Sequence, residues 1–479
     1  MTKNTTKMCL QLIGYLIIIA VFCIAPPVGA ITPEGMRLVG LFIAFIYGFA
    51  ITADAWPALL TIILFPITGL VDFIDVLGLS FGGDTVFFIL LSLILVEYME
   101  VSGAAKYIAT WLLKRKVLVG HPWRLLAMIL FICWLISSFV NAIAGMMLTW
   151  VFLYSMFDQF GYKPFDKFPS VILLGTCAVG GLGLSTLPWG NNSIVILDAF
   201  TTQTGIDVNY FTYMGFSIPY GLITIVVYLL VCKFIFRIDV TPLKEFDPST
   251  LSSESQTLNA EKLIAMLSMV ALVLLILIPS CLPADSAIVA ISNKFGLSGK
   301  LLLIFTIAHI IRIDGKPACN FPKLAKEGIG WKLMMIVSSI MVFSTLIGDE
   351  KTGISVFLRE SIGPFFENRA AGSIIIVVTI ITIVFTNFMI NKIVAVLMIS
   401  MTMPIIISLG LDPIQFVCLY TVACTIAFML PSASQSAMVL FSNTDWIRTK
   451  DVFKYGLPVI IAMGISIVIW DIIYFMIVG

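Results

Sequence analysis

Long apolar runs separated by short polar segments dominate the chain. A helix needs about 20 apolar residues to cross the hydrocarbon core of a bilayer, and eleven apolar runs are candidates for such crossings. They predict transmembrane helices over 8–25, 36–53, 56–72, 84–100, 170–198, 213–237, 261–280, 299–312, 331–348, 412–441 and 453–478. The pattern predicts an all-α polytopic membrane protein.

Two further apolar stretches, 123–157 and 370–408, are too long for a single crossing, and each has a polar break in its middle. We interpret both as re-entrant helical hairpins that enter and leave on one side of the membrane. Membranes tolerate such breaks only where protein or water covers the freed backbone groups. A polar segment at 238–260 predicts a cytoplasmic linker.

The amino-acid composition narrows the classes of protein to which the chain can belong. Hydrophobic residues make up 60% of the chain and charged residues 11%, with net charge +1, whereas soluble domains carry roughly 25% charged residues. No charge excess suggests a nucleic-acid partner. Nine scattered cysteines and two histidines form no metal motif, so we expect no cofactor. Without an acid–base cluster or an activated nucleophile, we expect no enzyme.

The basic residues predict the orientation. With the N-terminus inside, 21 of the 28 Lys and Arg residues become cytoplasmic and six lie outside, in agreement with the positive-inside rule. Lys3, Lys7 and the apolar run after them imitate a signal peptide, but we favour an uncleaved first helix. We expect a multi-pass protein of the inner (plasma) membrane with its C-terminus outside.

Two halves of the chain repeat weakly. Glu100-Val-Ser-Gly103 matches Glu350-Lys-Thr-Gly353, and Val140-Asn-Ala-Ile143 matches Ile390-Asn-Lys-Ile393, both at an offset of 250. An odd number of crossings separates the halves, which predicts the inverted repeats of secondary transporters. Chance similarity between apolar helices stays an alternative. The predicted organisation is scaffold helices at 1–83, repeat 1 at 84–237, the linker at 238–260, connecting scaffold helices at 261–330 and repeat 2 at 331–479.

Each repeat holds a short amphipathic segment before its hairpin. Segments 103–116 and 353–362 predict helices that lie in the two membrane interfaces, each after a glycine that permits a bend. They resemble arms that join a mobile unit to a fixed one. Simple interfacial linkers would give the same pattern.

Glycine and proline interrupt two of the long spans in matching places. Span 170–198 contains Gly180-Gly-Leu-Gly183 and Pro188, and span 412–441 contains Pro431. Unwound helix ends expose N–H groups that bind anions and carbonyls that bind cations. We expect these two breaks to meet the two hairpin tips near the midplane. A proline kink that serves only packing is the alternative.

Polar residues at the hairpin tips are the candidate ligands. Asn141 and Asn391 can hold a carboxylate without a charge, although a membrane Asn also serves as a helix–helix hydrogen bond. Lys392 stands about twenty residues into its hairpin, where a cation costs roughly 2.5–3.5 kcal/mol. It either contacts an anionic substrate or replaces a coupling cation. Snorkelling to a shallow tip is the alternative.

At these residues the chain resembles the divalent anion/sodium symporter family of di- and tricarboxylate transporters, over nearly its whole length and including the string Ala427-Phe-Met-Leu-Pro431-Ser-Ala. That family carries Ser-Asn-Thr at each hairpin tip, where this chain has Val140-Asn-Ala142 and Ile390-Asn-Lys392. The resemblance implies a homodimer with a scaffold and an elevator-type transport domain. It implies substrate contacts at Asn141, Ala142, Thr186, Pro188, Asn391, Lys392, Pro431 and Ser432.

The resemblance also implies two sodium ions, which this sequence puts in doubt. Val140 and Ile390 offer no side-chain oxygen to a hard cation, and Lys392 supplies a positive charge. The ion or ion-surrogate positions would be Ser137, Ser138, Gly181, Gly183, Thr386, Lys392, Ala433 and Ser434.

Together these features predict a secondary transporter of small organic dianions (C4-dicarboxylates, 2-oxoglutarate or citrate), working by sodium-independent exchange. A sodium-coupled symporter of di- and tricarboxylates or sulfate is the alternative. A cation/proton antiporter is less favoured, because neither tip sequence contains a carboxylate. The expected partners are a small anionic metabolite, the lipid bilayer and a second copy of the chain, with no nucleic acid.

Overall fold

The computed structural model describes residues 3–52, 54–245, 257–283, 286–366, 369–431 and 433–478. Their helices follow each other with short connections. The first half contains α1 (Lys3–Ile24), α2 (Pro33–Ile51), α3 (Trp56–Leu64), α4 (Phe73–Leu79), α5 (Asp84–Val101), α6 (Ala104–Leu113), α7 (Pro122–Phe139), α8 (Ala142–Gln159), α9 (Lys167–Gly183), α10 (Ser193–Thr204) and α11 (Tyr210–Leu230). The second half contains α12 (Ala260–Ser280), α13 (Ala287–Ile310), α14 (Phe321–Gly328), α15 (Trp331–Gly348), α16 (Ile354–Phe366), α17 (Ala371–Thr386), α18 (Asn391–Ser408), α19 (Pro413–Ala423), α20 (Gln435–Ser442) and α21 (Thr449–Val478).

Seven of the described helices are long and apolar enough to cross a membrane. They are α7, α11 with its extension to Phe236, α12, α13, α15, α18 and α21. Helices α4 and α5 are bent by 55° at their junction and would make an eighth span as a pair. The predicted helical, polytopic class is confirmed, while the count of eleven crossings stays a prediction. Among the described residues the only strands are β1 (Arg312–Ile313) and β2 (Lys316–Pro317), an antiparallel pair.

Two predicted spans have different bounds in the structure. The span predicted over 299–312 corresponds to the second of two segments of α13, which begins at Ala287 and is interrupted at Gly296, whose φ is +59°. The span predicted over 56–72 ends early, because Pro66 has no N–H to continue α3. Of the predicted linker, 246–256 lies outside the described residues.

The helices pack into two compact units. The first unit contains Met1–Phe87, Ile194–Val208 and Gly330–Cys424, and the second contains Phe88–Ser193, Asn209–Ile329 and Thr425–Gly479. The second hairpin therefore belongs to the first unit and the first hairpin to the second unit. The domain bounds predicted from the repeats stay a prediction.

Glycines and aromatic rings hold the first unit together. A β-carbon on Gly40 would lie 2.3 Å from Phe22 Cβ, so α1 and α2 approach closely there. Small residues at helix crossings are typical of membrane proteins, where packing rather than water drives association. The ring of Phe343 on α15 stands edge-on to Phe42 and Phe65, at centroid distances of 4.9 and 4.7 Å.

The second unit is built around α9, in which every residue after Lys167 is buried. One of its polar side chains, Thr176, is bonded within the unit, since Trp150 Nε1 donates to Thr176 Oγ1 at 2.8 Å. A β-carbon on Gly175 would lie 2.6 Å from the Tyr228 ring. A buried helix of this kind gives the hairpin and the helix break beside it a rigid support.

Each predicted arm begins at a left-handed glycine. Gly103 has φ +73° before α6, and Gly353 has φ +66° before α16. Glycine adopts this conformation without the steric cost that a β-carbon brings. The offset of 250 residues thus joins two positions with the same backbone conformation.

Candidate functional site

The first hairpin breaks at Val140 and Asn141, between α7 and α8. Asn141 has extended backbone, and its Oδ1 accepts a hydrogen bond from Ala144 N at 2.7 Å, which caps α8. Its Nδ2 donates to Glu100 Oε1 at 2.9 Å. Ala142 is the first residue of α8 and is buried. Both ends of the Asn141 amide are therefore engaged, which fixes its orientation.

Glu100 is a residue that the sequence reasoning missed. The tip sequence itself contains no carboxylate, as the sequence indicated, but α5 brings the carboxylate of Glu100 to Asn141. The repeat pattern identified Glu100 only as the partner of Glu350. A contact between residues 41 positions apart has no periodic signal in the sequence.

Two serines precede the break. Ser138 Oγ donates to Trp134 O at 2.8 Å. The Ser137 hydroxyl is buried beside the Cys133 thiol. Gly183 packs against Ser137 so closely that a β-carbon there would lie 2.5 Å from Ser137 Cβ. Two of the predicted ion positions, Ser137 and Gly183, are therefore neighbours.

The first broken helix stops at Gly183, and α10 begins ten residues later at Ser193. Thr186 lies buried in this gap, where its Oγ1 accepts from Trp134 Nε1 at 2.9 Å and its carbonyl accepts from Ser217 Oγ at 2.6 Å. Thr186 is thus already bonded within the unit. Pro188 lies in the same non-helical segment.

Asn192 is a second residue that the sequence reasoning missed. It is 5% exposed, and its Nδ2 has no hydrogen-bond partner among the described residues. Leaving an amide donor unbonded in a buried position costs free energy. A ligand oxygen or a water molecule would satisfy it. The signal in the sequence was Asn191-Asn192 directly after the Pro188 break.

A cavity of about 50 Å³ lies between the first hairpin and this break. Ser137, Ser138 and Asn141 line it together with Trp189 and Asn191. A space of roughly 10–15 Å³ already holds one water molecule, so this cavity accommodates an ion or a few water molecules. It is too small for a tricarboxylate.

The second broken helix supplies another polar turn. Helix α19 ends at Ala423 in the first unit, and α20 begins at Gln435 in the second. Ser434 caps α20 by accepting from Ala437 N at 3.0 Å and donates to Ala427 O at 2.6 Å. Of the other predicted positions, Pro431 is exposed, Ala433 is buried, and Ser432 lies outside the described residues.

Gly181 of α9 faces the same turn. A β-carbon on Gly181 would lie 2.9 Å from Ser436 Oγ, which itself lies 2.9 Å from Ser434 Oγ. The second unit therefore brings Gly181 and Ser434 to one polar cluster, next to Thr425 O at 3.4 Å from that β-carbon.

In the first unit the second hairpin brings three predicted site residues together. Thr386 Oγ1 lies 3.1 Å from Asn391 Oδ1 and 2.5 Å from Cys424 O. Lys392 follows in the first turn of α18, is 3% exposed, and lies near Cys424. An ammonium, an amide and a hydroxyl at one helix start are groups that bind carboxylates.

The comparisons with known proteins agree with an anion transporter. The sequence model of a family described as "Citrate transporter" matches residues 40–298. Na(+)/dicarboxylate cotransporter 3 of Homo sapiens is 25% identical over 135 residues, as is that of Rattus norvegicus. The aligned part is 28% of this chain and spans only 22% of the length of these curated relatives.

Two solved structures share the fold. The YdaH transporter of Alcanivorax borkumensis has a TM-score of 0.54 at 13% identity, covering 91% of this chain and 98% of that one. MtrF of Neisseria gonorrhoeae, described as an antimetabolite efflux pump, has a TM-score of 0.53 at 13% identity, covering 95% and 97%. The resemblance to di- and tricarboxylate transporters is confirmed, and the matching proteins are transporters rather than enzymes.

Proposed function

Because this chain belongs to the citrate transporter family, whose model covers more than half of its length, we propose that it exchanges small organic dianions across the inner membrane without sodium. The substrate class is C4-dicarboxylates, 2-oxoglutarate or citrate. Membership of the family makes it a membrane-bound secondary transporter. The choice of anion, the coupling and the mechanism belong to the proposal.

The buried Lys392 carries this proposal. It brings an amine into the buried turn where Asn391 is hydrogen-bonded to Thr386 at the second hairpin. Carboxylates pair strongly with such a group when hydrogen bonds assist. A hard cation instead needs several oxygen ligands, and Ile390 at this tip supplies none from its side chain. The ammonium therefore stands in for a coupling sodium.

Exchange follows from charge balance. Without a coupling ion, one-way movement of a dianion would move net charge across the membrane with no compensation. Returning a second dianion on the same carrier cancels that charge, so counter-transport is the favoured cycle. We further propose an elevator-type movement in a homodimer, supported by the two amphipathic helices α6 and α16 that each follow a left-handed glycine.

Sodium-coupled symport of di- or tricarboxylates or sulfate is the second candidate. The ion-sized cavity beside the first hairpin supports it, because Ser137, Ser138 and Asn141 offer oxygens there. In this case sodium would bind near the first hairpin only, while Lys392 would serve the substrate.

Reconstituted liposomes separate the two candidates. Vesicles loaded with unlabelled succinate, 2-oxoglutarate or citrate, or left empty, would receive labelled dianion outside with sodium or choline as the cation. Exchange predicts uptake only into loaded vesicles and equal rates with both cations. Uptake into empty vesicles driven by external sodium would establish the symporter instead. Absence of uptake with every di- and tricarboxylate and sulfate would refute both.

A further inference from the structure

A second cavity lies far along the chain from the hairpins, at the end of α13. It is an open apolar groove of about 330 Å³ between α13 and the short helix α14. Leu302, Phe305, Thr306, His309 and Phe321 line most of it. The Phe305 and Phe321 rings meet edge-on at 5.2 Å and join the two helices. Its volume and apolar walls suit a hydrocarbon chain.

Basic residues lie close in the chain to the residues that line the groove. The chain around its lining contains Arg312, Lys316, Lys323 and Lys326, against only Asp314 and Glu327. All four cationic residues are exposed, and none of them forms a salt bridge within the part of the chain that the structure describes. Clusters of Lys and Arg directly outside a membrane helix attract anionic lipid headgroups.

Exposed apolar residues follow α13 to its end. Helix α13 is one of the spans long enough to cross, and its Ile307 and Ile310 are 52% and 67% exposed. The exposed apolar residues continue to Ile311, and Arg312 follows it directly. Helix α14 buries Leu324 and exposes Lys323, the residue before it. An apolar groove with basic residues close to its lining in the chain is complementary to a molecule with an acyl chain and an anionic head.

One of the polar side chains that line the groove, the imidazole of His309, is already oriented by a hydrogen bond. His309 Nδ1 lies 2.8 Å from Cys319 O, and since a carbonyl only accepts, Nδ1 donates. This bond ties the end of α13 to the segment that leads into α14, so the groove is held open by the fold. Its other ring nitrogen, Nε2, is not engaged by Cys319.

We propose that this groove binds an anionic phospholipid, with one acyl chain against Phe305 and Phe321 and its phosphate at the basic residues Arg312, Lys316, Lys323 and Lys326. This proposal does not depend on the transported substrate.

Competitive lipid binding tests it. The purified, delipidated protein would receive equal amounts of dioleoyl-phosphatidylglycerol and dioleoyl-phosphatidylcholine, and retained lipid would be counted by native mass spectrometry. The wild type should prefer phosphatidylglycerol. Arg312→Gln with Lys323→Gln should lower that preference by roughly 30-fold, since each basic residue near an anionic surface contributes about fivefold.

Two comparisons make the result specific. Lys163→Gln with Lys167→Gln removes the same charge from exposed positions at and just before the start of α9 and should leave the preference unchanged. Leu302→Trp fills the groove while the basic residues stay intact, and it should lower retention of phosphatidylglycerol. Equal retention of the two lipids by the wild type would overturn the proposal. So would an equal loss in the Lys163/Lys167 control, or full retention by Leu302→Trp.

Discussion

Replacing Lys392 by methionine should stabilise the protein and remove transport. The side chain is 3% exposed in an apolar hairpin, and burying a cation at mid-membrane depth costs roughly 2.5–3.5 kcal/mol. Hydrogen bonds to a buried cation recover part of such a cost. Methionine keeps most of the volume without the charge, so we expect the free energy of unfolding to rise by about 1–3 kcal/mol.

The sign of this change in the free energy of unfolding distinguishes a role of Lys392 in transport from a role as a structural partner in an ion pair. If the lysine were a structural partner in a buried ion pair, its removal would cost about 3–5 kcal/mol. Thermal unfolding in detergent measures stability, and exchange of labelled dianion in loaded liposomes measures function. Lys163→Met, at an exposed loop position, controls for removing a charge. Wild-type exchange by Lys392→Met would refute any role of the ammonium in transport.

Three further substitutions test other parts of the structure. Lys392→Thr with Ile390→Ser restores hydroxyl oxygens at the second tip, so uptake should become sodium-dependent; equal rates in sodium and choline would contradict this. Glu100→Gln keeps an acceptor for Asn141 but removes a charge that would cost roughly 1 kcal/mol in water if a substrate carboxylate stood about 4 Å away. Because we assign the substrate charge to Lys392 and Asn391 at the second tip, the concentration of dianion for half-maximal exchange should stay unchanged, and a fall of about fivefold would place the substrate next to Glu100. Gly103→Ala should cost about 1–2 kcal/mol for its left-handed backbone. Gly353→Ala should cost clearly more in the same unfolding assay, because its β-carbon would lie 1.9 Å from Ala30 O; equal costs would show that this contact relaxes.

The lengths of the apolar runs were sufficient to predict the class of fold and most helix positions. Breaks at glycine and proline were predictable, because these residues change what the backbone can do locally. The first segment of α13, before Gly296, was not predicted because Ser292, Asn293 and Lys294 lower the local hydropathy. A helix can carry such residues when they lie near the membrane surface, and hydropathy alone does not tell where that surface is.

Contacts between distant segments were not predictable from the sequence. Asn141 and Asn391 occupy equivalent positions in the repeat, and the sequence assigns both the same role. In the structure Asn141 caps α8 and donates to a carboxylate, whereas Asn391 accepts from Thr386. The difference arises because α5 supplies Glu100 to the first tip, a contact that only packing determines.

The two hairpin tips therefore differ in charge, and this difference bears on their roles. The first tip holds a carboxylate on its asparagine, and a dianion brought there would be repelled unless a cation or proton came with it. The second tip holds an ammonium beside its asparagine and attracts a dianion directly. We therefore assign recognition of the substrate charge to Lys392 and Asn391. The first tip, with its ion-sized cavity and Glu100, suits a positively charged species. Any binding of a cation by the wild type, measured without substrate, should therefore disappear in Glu100→Gln and persist in Lys392→Met.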